Sequence, residues 1–216
     1  MSLVIFDLDN TLIGGDSDYL WSQFLLEAGI VGPEHQHENQ RFYDEYVAGT
    51  LDINEFLLFQ LSPLAAHDMA TLLSWRKRFI KEKIAPIMLP SAEKLIKKHQ
   101  KNNATLLIIT ATNSFVTAPI AERLGIPNLI ATEPEISNGQ YTGKVTGTPS
   151  FREGKVERLN VWLKETGHNL DDSWFYSDSH NDLPLLEQVT HPAAVDPDEV
   201  LEKHAKNHGW PIISLR

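Results

Sequence analysis

The sequence contains no cysteine among its 216 residues. This absence excludes a disulfide-stabilised scaffold, a thiolate nucleophile and a zinc site with Cys ligands. A chain of this length can bury about 70% of its unfolded surface around one core, so it needs no covalent staple to fold. With 42% hydrophobic and 22% charged residues, the composition is that of a globular protein that has one core and room for an inserted subdomain.

Basic residues are also scarce: 19 Lys and Arg stand against 29 Asp and Glu, which gives a formal net charge of −10. Because phosphate backbones are bound by clustered Lys and Arg, we expect no nucleic-acid partner. The basic run of Lys94, Lys97, Lys98 and Lys101 is the strongest counter-example. It falls at the end of a predicted helix, where cations interact favourably with the helix dipole, and it is typical of a solvated helix end.

Long apolar runs are missing too. The N-terminus has no basic segment and reaches Asp7 before the apolar core of a signal peptide could form. No uncharged apolar stretch approaches the roughly 20 residues that a membrane helix needs. We therefore expect a cytoplasmic protein, a monomer or homodimer, with no membrane partner.

What is present is an alternation of predicted strands and helices with one interruption. The apolar run Leu3–Phe6 is typical of a strand buried on both faces, and strand–helix alternation resumes beyond Pro90. The pattern predicts an α/β fold, with a Rossmann-like three-layer core and a parallel sheet formed by residues 1–15 and 86–216. Residues 16–85 show helical spacing throughout and predict an inserted helical subdomain.

Turn signals divide these regions further. Within the insert, breaks at 29–33, at Gly49-Thr50 and at Ser62-Pro63 predict four helices. Asn138-Gly139 predicts a hairpin, and Ala193–Val195 is the last predicted strand.

Polar side chains follow three of the predicted parallel strands. Asp7 and Asp9 follow the first, Thr110 follows the second, and Asp178 with Asp182 follows Trp174–Ser177. Each group alone is more typical of a helix cap or a turn. Because ligands of open α/β sheets bind at the carboxyl ends of the strands, we expect the three groups to converge there, with Lys155 between the second and third.

This set of residues suits phosphoryl transfer. The Asp7 carboxylate can attack phosphorus, and Asp9 can protonate the leaving oxygen and later deprotonate water. Thr110 and Lys155 would contact the phosphoryl oxygens and stabilise the negative charge that these oxygens carry in the transition state. Crowded carboxylates require a hard cation such as Mg²⁺. The predicted catalytic residues are Asp7, Asp9, Thr110 and Lys155, and the predicted Mg²⁺ ligands are Asp7, Asp9, Asp178 and Asp182.

Four segments resemble the motifs of the haloacid dehalogenase superfamily, in the order that the family has them. Phe6–Leu12 resembles the DxDxT motif, Leu107–Thr110 the second motif, Gly154-Lys155 the third, and Ser177–Asp182 the acidic fourth. The helical insert between the first two resembles the C1-type cap, and together these features indicate the phosphoserine phosphatase-like branch. The second acid of the first motif disfavours a dehalogenase.

The resemblance also implies roles for individual residues. Asp7 would be the nucleophile, and Asp9 would be the acid/base and a Mg²⁺ ligand through its backbone carbonyl. Asp178 would bind the metal, Asp182 would partner Lys155 or belong to the metal shell, and Asn181 would contact phosphate or water.

Substrate choice depends on the insert. The family's amine-binding acid corresponds to Asp16, whereas its Phe and carboxylate-binding Arg correspond in our register to Ile53 and Gln60. A missing Arg clamp favours an amine-bearing ester without a carboxylate, and histidinol phosphate is such a compound. Ala111-Thr112 replaces the family's usual glycine pair. The predicted substrate-binding residues are Asp16, Asp18, Trp21, Thr110, Ala111 and Asn181.

Alternatives remain open at this point. Arg41, Arg76 or Arg78 could supply a carboxylate-binding charge, in which case phosphoserine is the substrate. The same aspartyl-phosphate chemistry serves a phosphomutase, and a receiver-like signalling module is an alternative from another class. Trp21, Phe24 and Tyr43 have the spacing of core residues but could also stack on a substrate ring.

Nine histidines raise the question of a zinc site. His204 and His208 have helical i, i+4 spacing, and His35-Gln36-His37 is a short cluster. Neither has an obvious third ligand, so both are typical of solvated surface. His180 is the one histidine inside a motif.

Overall fold

The computed structural model describes residues 2–216, and its centre is a seven-stranded sheet in the order β4-β3-β2-β1-β5-β6-β7. Every pairing is parallel except that of β3 with β4. The strands are β1 (Leu3–Phe6), β2 (Thr105–Asn113), β3 (Asn128–Ser137), β4 (Gln140–Thr146), β5 (Trp174–Ser177), β6 (His191–Val195) and β7 (Ile212–Ile213). The motif-bearing strands β2, β1 and β5 are thus neighbours.

Helices cover both faces of this sheet. They are α1 (Ser17–Glu27), α2 (Pro33–Ala48), α3 (Ile53–Ala65), α4 (Met69–Phe79), α5 (Pro90–Lys101), α6 (Ser114–Leu124), α7 (Glu153–Thr166), α8 (Leu183–Leu186) and α9 (Glu199–His208). Alternate side chains of β1 point into two separate apolar clusters, Val4 and Phe6 into one, Leu3 and Ile5 into the other. The strand is therefore buried on both faces, and the prediction of a three-layer α/β core is confirmed.

Four α-helices, α1 to α4, form an insert between β1 and α5. Asp16, Asp52 and Asp68 begin α1, α3 and α4, and each carboxylate accepts hydrogen bonds from backbone N–H groups of the first turn. Gly49 ends α2 in the left-handed conformation, with φ of 72°. A π-helical turn, Ile80–Ile84, continues α4 back toward the core.

The predicted helix break at Ser62-Pro63 is wrong, because α3 runs through it to Ala65. A proline inside a helix leaves the carbonyl four residues earlier without its N–H donor. Here the Ser62 hydroxyl donates to the Phe59 carbonyl oxygen at 2.8 Å. The neighbouring side chain thus supplies the missing hydrogen bond, and the true break comes later, before the Asp68 cap.

The Asn138-Gly139 turn joins β3 to β4, with φ of 52° and 77° at its two residues, and α3 packs against β4. The hairpin therefore extends the core sheet to meet the helical insert. The strand β7, which lies beyond the last predicted strand, has only two residues and shows no readable periodicity.

In residues 2–216 no single helix has the length and apolar character needed to cross a membrane. The bent pair of segments Ile53–Ala65 and Met69–Ile87 meets that test when the two are taken together.

Candidate active site

A cavity of about 710 Å³, open at its mouth, lies between the carboxyl ends of the central strands and the helical insert. The core side is lined by Asp7, Asp9, Asn10, Thr110, Ala111, Thr112, Phe151, Lys155, Asn181 and Asp182. The insert side is lined by Asp16, Asp18, Tyr19, Asn39, Phe42, Tyr43, Tyr46, Leu51, Ile53, Phe56 and Gln60. Aromatic and apolar side chains line this cavity together with a few carboxylate and amide groups, a combination that is typical of sites for small organic ligands.

Asp7 and Lys155 form an ion pair on the floor of this cavity. The Lys155 Nζ lies 2.7 Å from Asp7 Oδ1 and 2.7 Å from Asp182 Oδ1, and Asp182 Oδ2 also accepts from the Ser177 hydroxyl at 2.7 Å. Burial raises the pKa of Asp7 well above its usual range; Lys155 opposes this shift, while Asp182 and Asp178 add to it. Burial alone would lower the pKa of Lys155, but its two carboxylate neighbours raise it. Lys155 is therefore a fixed cation.

Gly154 allows α7 to present Lys155 at this point. A Cβ atom on Gly154 would collide with the backbone carbonyl of Pro149, so a larger residue would displace the start of the helix. This clash explains why a glycine directly precedes Lys155.

Asp9 is held by the start of the insert and by β2. Its Oδ1 accepts from the Ser17 N–H at 2.7 Å, and its Oδ2 accepts from the Thr112 hydroxyl at 2.8 Å and from Thr110 at 3.5 Å. Burial raises the pKa of Asp9, while the Ser17 and Thr112 hydrogen bonds oppose the shift. A half-buried carboxyl with a raised pKa and a fixed orientation is suited to general acid catalysis.

Asp178 follows β5 and accepts from the Thr11 hydroxyl at 3.0 Å. Burial raises the pKa of Asp178 to about 8, and the neighbouring Asp182 contributes to the rise. This hydrogen bond connects the first and fourth motifs, which are 167 residues apart in the chain.

A Mg²⁺ ion fits this donor set, and the predicted ligands Asp7, Asp9, Asp178 and Asp182 differ in how free their side chains are. Both oxygens of Asp9 and both of Asp182 have hydrogen-bond donors as partners, and the described residues contain no group of three His, Asp or Glu side chains arranged around a metal position. Asp7 and Asp178 remain, both with raised pKa values, which indicates that their negative charge is poorly compensated. Two carboxylates supplemented by carbonyl, water and phosphate oxygens are a common way to bind Mg²⁺.

Two further acids lie on the opposite wall. Burial raises the pKa of Asp16 to about 7, and the pKa of Asp18 is raised well above its usual range by burial and by Asp16. Asn113 donates to Asp18 at 3.4 Å. Carboxylates with pKa values raised in this way would gain a favourable partner from a cationic group of a ligand.

Ile53 and Gln60, the residues in the family's carboxylate-binding register, both line the cavity. The Gln60 amide is 1% exposed; it donates to the Asp18 carbonyl at 3.1 Å and accepts from the Ser22 hydroxyl at 2.8 Å. Lys155 is the one Lys or Arg among the lining residues found in the described chain.

The prediction of Trp21 as a substrate-binding residue is wrong. Its ring is 1% exposed and packs against Phe24, Phe79 and Phe115 in the core, and it does not line the cavity. Its place on the inner face of α1 explains this burial. Phe24 belongs to the same cluster, whereas Tyr43 lines the cavity.

The alternative arginines also lie elsewhere. Arg41 pairs with three glutamates on the insert surface, and Arg78 pairs with Glu82. Arg76 donates to the Phe115 carbonyl at 3.0 Å.

Sequence reasoning missed several lining residues, including Tyr46, Phe42 and Phe56, because helical periodicity does not distinguish a core face from a cavity wall. It also missed Thr112 as the partner of Asp9. That hydroxyl lies two residues beyond Thr110, and an extension of β2 to Asn113 would have placed both on the same face of the strand.

The histidine clusters show contacts with neighbouring side chains. The rings of His204 and His208 stack at 4.0 Å, and His35 lies 3.3 Å from the Ser22 hydroxyl. His180 pairs with Asp198 at 2.8 Å, at the edge of the fourth motif.

Comparison with known proteins assigns this chain to a family. The family model for haloacid dehalogenase-like hydrolases matches residues 4–187. A histidinol-phosphatase from Neisseria meningitidis serogroup C (strain 8013) is 46% identical over 220 residues, covering 100% of this chain and 99% of that protein.

Two solved structures have the same fold. A Bordetella pertussis Tohama I protein of unknown function has a TM-score of 0.94 and 44% identity, with 100% of this chain and 99% of that one covered. A phosphoserine phosphatase determined as a phospho-aspartyl intermediate analogue has a TM-score of 0.73 at 21% identity, with coverage of 100% and 93%. The chain belongs to the haloacid dehalogenase-like hydrolase family.

Proposed function

We propose that this hydrolase is a Mg²⁺-dependent phosphomonoesterase that forms an aspartyl-phosphate on Asp7. The observation that carries the proposal is the floor of the cavity. There, Lys155 holds one oxygen of Asp7 at 2.7 Å, and Asp9 is fixed beside it by Ser17 and Thr112. A positioned nucleophile, a positioned acid and a fixed cation are the parts that phosphoryl transfer requires.

In the first half-reaction the free oxygen of Asp7 attacks phosphorus and the ester P–O bond breaks. Asp9 transfers its proton to the departing alkoxide oxygen, and the raised pKa of this carboxyl favours the protonated form that the step needs. Lys155 and the Thr110 hydroxyl stabilise negative charge on the phosphoryl oxygens. The products are the free alcohol and Asp7 phosphate.

In the second half-reaction water attacks the phosphorus of the Asp7 phosphate. Asp9, now ionised, takes a proton from the water, and the P–O bond to Asp7 breaks. Inorganic phosphate leaves, and both carboxyl groups return to their starting states. Thr112 and Ser17 keep Asp9 in place for both proton transfers.

Asp7, Asp178 and the backbone carbonyl of Asp9 would hold the Mg²⁺ ion. When bound, the ion would offset the charge of the carboxylates and of the phosphate. Asp182 then serves chiefly to hold Lys155, with which it makes contacts of 2.7 and 2.9 Å.

We propose histidinol phosphate as the substrate. Asp16 and Asp18 offer carboxylates to its ammonium group, and Tyr43 and Phe56 offer aromatic surface to its imidazole ring. The proposal is supported by the 46% identity of this chain to the Neisseria meningitidis histidinol-phosphatase. We further propose that residues 16–85 of this chain act as the cap that encloses the ester.

Phosphoserine is the second candidate, and the cavity favours it less. Its carboxylate would need a cationic partner, but Gln60 occupies the register of the clamp and is already engaged by Asp18 and Ser22. A phosphomutase and a receiver-like module use similar phospho-aspartate chemistry, but they would release little free phosphate.

Phosphate release from three esters tests the proposal. With Mg²⁺, kcat/KM for histidinol phosphate should exceed that for phosphoserine and for p-nitrophenyl phosphate, and Asp7→Asn should lose at least about 10³-fold in kcat, as removal of a nucleophile does. The exposed Asp171→Asn variant is the matched control and should keep full activity. Residual turnover by Asp7→Asn above a trace would refute the nucleophile, and a clear preference for phosphoserine would refute the substrate.

A further inference from the structure

Arg152 has a backbone conformation that is costly for its residue type. It lies directly before α7 with φ of 49° and ψ of −119°, in a region that glycine adopts readily and side-chain-bearing residues rarely do. Strain of this kind persists where the side chain or the site requires it. The contacts of the Arg152 side chain therefore call for an explanation.

The Arg152 guanidinium joins the helical insert to the core. Its Nη2 donates to the Gly49 carbonyl oxygen at 2.6 Å, and its Nε donates to Asn181 Oδ1 at 2.9 Å. Gly49 is the residue that ends α2. The cation thus lies at the negative end of that helix dipole, where the interaction is favourable.

The same junction contains two further contacts between the insert and the core. Asn181 Nδ2 lies 3.4 Å from the Tyr46 carbonyl, and the Tyr46 hydroxyl lies 3.4 Å from Ser179 Oγ. Asn181 therefore connects Arg152 to the last turn of α2 through both ends of its amide. The core partners lie on the loop that also carries Asp178 and Asp182.

This junction places Tyr46, a residue of the insert, over the carboxylates of the candidate active site. Its side chain lines the cavity beside Phe151 and Asn181. The carboxylates of Asp178 and Asp7 are among the groups that raise its pKa, after burial itself. Movement of the end of α2 away from the core would uncover the carboxylates to water.

We propose that Arg152 is a positioning residue that latches the C-terminal end of α2 onto the core and holds Tyr46 over the aspartates during turnover. The contacts join the two walls of the cavity, so release of the latch would let these walls move apart. The planar guanidinium suits the task because it bonds a backbone carbonyl and an amide oxygen at once. The effect of this latch on turnover rests on the proposed phosphatase activity.

Arg152→Gly removes the guanidinium and at the same time relieves the backbone strain at this position. Any loss in this variant therefore comes from the missing guanidinium and not from added strain. Its matched control is Asn103→Gly, which relieves a similar φ of 55° at an exposed position. We expect amide hydrogen exchange at residues 46–51 to accelerate in Arg152→Gly and to stay unchanged in Asn103→Gly. The kcat/KM of Arg152→Gly should fall by about 10²-fold, since small displacements of site residues have effects of that order.

Added guanidinium at sub-denaturing concentration should restore part of the lost activity and slow the exchange in Arg152→Gly, and Arg152→Lys should lie between the variant and the wild type. Unchanged exchange at residues 46–51, or an activity within two-fold of the wild type, would overturn the latch. Hydrogen exchange needs no substrate, so it tests the latch even if every phosphate ester proves inert, an outcome that would refute the proposed function alone.

Discussion

At the scale of single residues, Asp16 has two tasks that depend on its protonation differently. Its carboxylate begins α1 by accepting from the Tyr19 N–H at 2.8 Å, and it faces the cavity. Burial raises the pKa of Asp16 to about 7, and Asp9 adds to the shift. Helix capping needs only an acceptor oxygen, whereas binding of a substrate ammonium needs the negative charge.

Asp16→Asn should therefore keep the helix cap and lose the ammonium site. We expect kcat/KM for histidinol phosphate to fall roughly 10-fold above pH 7, as for the loss of a hydrogen bond to a charged group. The loss should shrink below pH 7, where wild-type Asp16 is itself protonated. Activity on p-nitrophenyl phosphate, which has no amine, should change little at either pH; an equal loss with both esters would contradict the assignment.

The same shift has a consequence for stability. The pKa of Asp16 in the folded protein, about 7, lies above the value of about 3.9 in an unfolded chain, so its ionisation opposes folding. The resulting destabilisation develops as pH rises from about 4 through 7. Urea unfolding should therefore show a smaller decline between pH 5 and pH 8 in Asp16→Asn than in the wild type.

At the scale of elements, α6 shows how two distant segments stabilise each other. Pro119 lies inside this helix and leaves the Phe115 carbonyl without its usual donor. Arg76 of α4 donates to that oxygen at 3.0 Å and lies 4.8 Å from the centre of the Phe115 ring. A side chain of the insert thus completes a helix of the core.

A double-mutant cycle measures this arrangement. Arg76→Leu alone should lower the free energy of unfolding by about 1–3 kcal/mol, because a partly buried carbonyl loses its donor. Pro119→Ala restores a backbone N–H that can donate to the Phe115 carbonyl, so the same Arg76 change should cost less in that background. Equal losses in both backgrounds, measured by urea denaturation, would show that Arg76 acts only through its packing on the ring.

Pro63 and Pro119 also show which features of the fold cannot be predicted from the sequence pattern. The alternation of strands and helices, the insert and the expected convergence of Asp7, Thr110 and Asp178 follow from hydrophobic periodicity and the rule for parallel sheets. Helix continuity through Pro63 depends instead on a hydrogen bond from Ser62, a contact that no periodicity reveals. Likewise the burial of Trp21 depends on which neighbour covers α1, and this is a tertiary property.

At the scale of the whole molecule, the net charge of −10 is concentrated in part at one edge of the sheet. Asp7, Asp9, Asp178 and Asp182 meet there around the cation of Lys155. The hydrogen bond from Thr11 to Asp178 and the ion pair of Lys155 with Asp7 tie together segments from both ends of the chain. Mutual repulsion of these acids therefore opposes closure of the whole fold, and a bound cation would relieve it.

Mg²⁺ should accordingly stabilise the folded protein against heat. An ion at 100 times its dissociation constant adds about 2.7 kcal/mol, which for a chain of this size raises Tm by roughly 5–10 °C. Because burial raises the pKa of Asp178 to about 8, Asp178→Asn should raise the Tm of the metal-free protein at pH 8 and abolish most of the Mg²⁺ response. Asp171→Asn, changed at an exposed acid, should respond to Mg²⁺ as the wild type does. Thermal denaturation at constant ionic strength distinguishes these cases, and an undiminished Mg²⁺ shift in Asp178→Asn would remove Asp178 from the metal site.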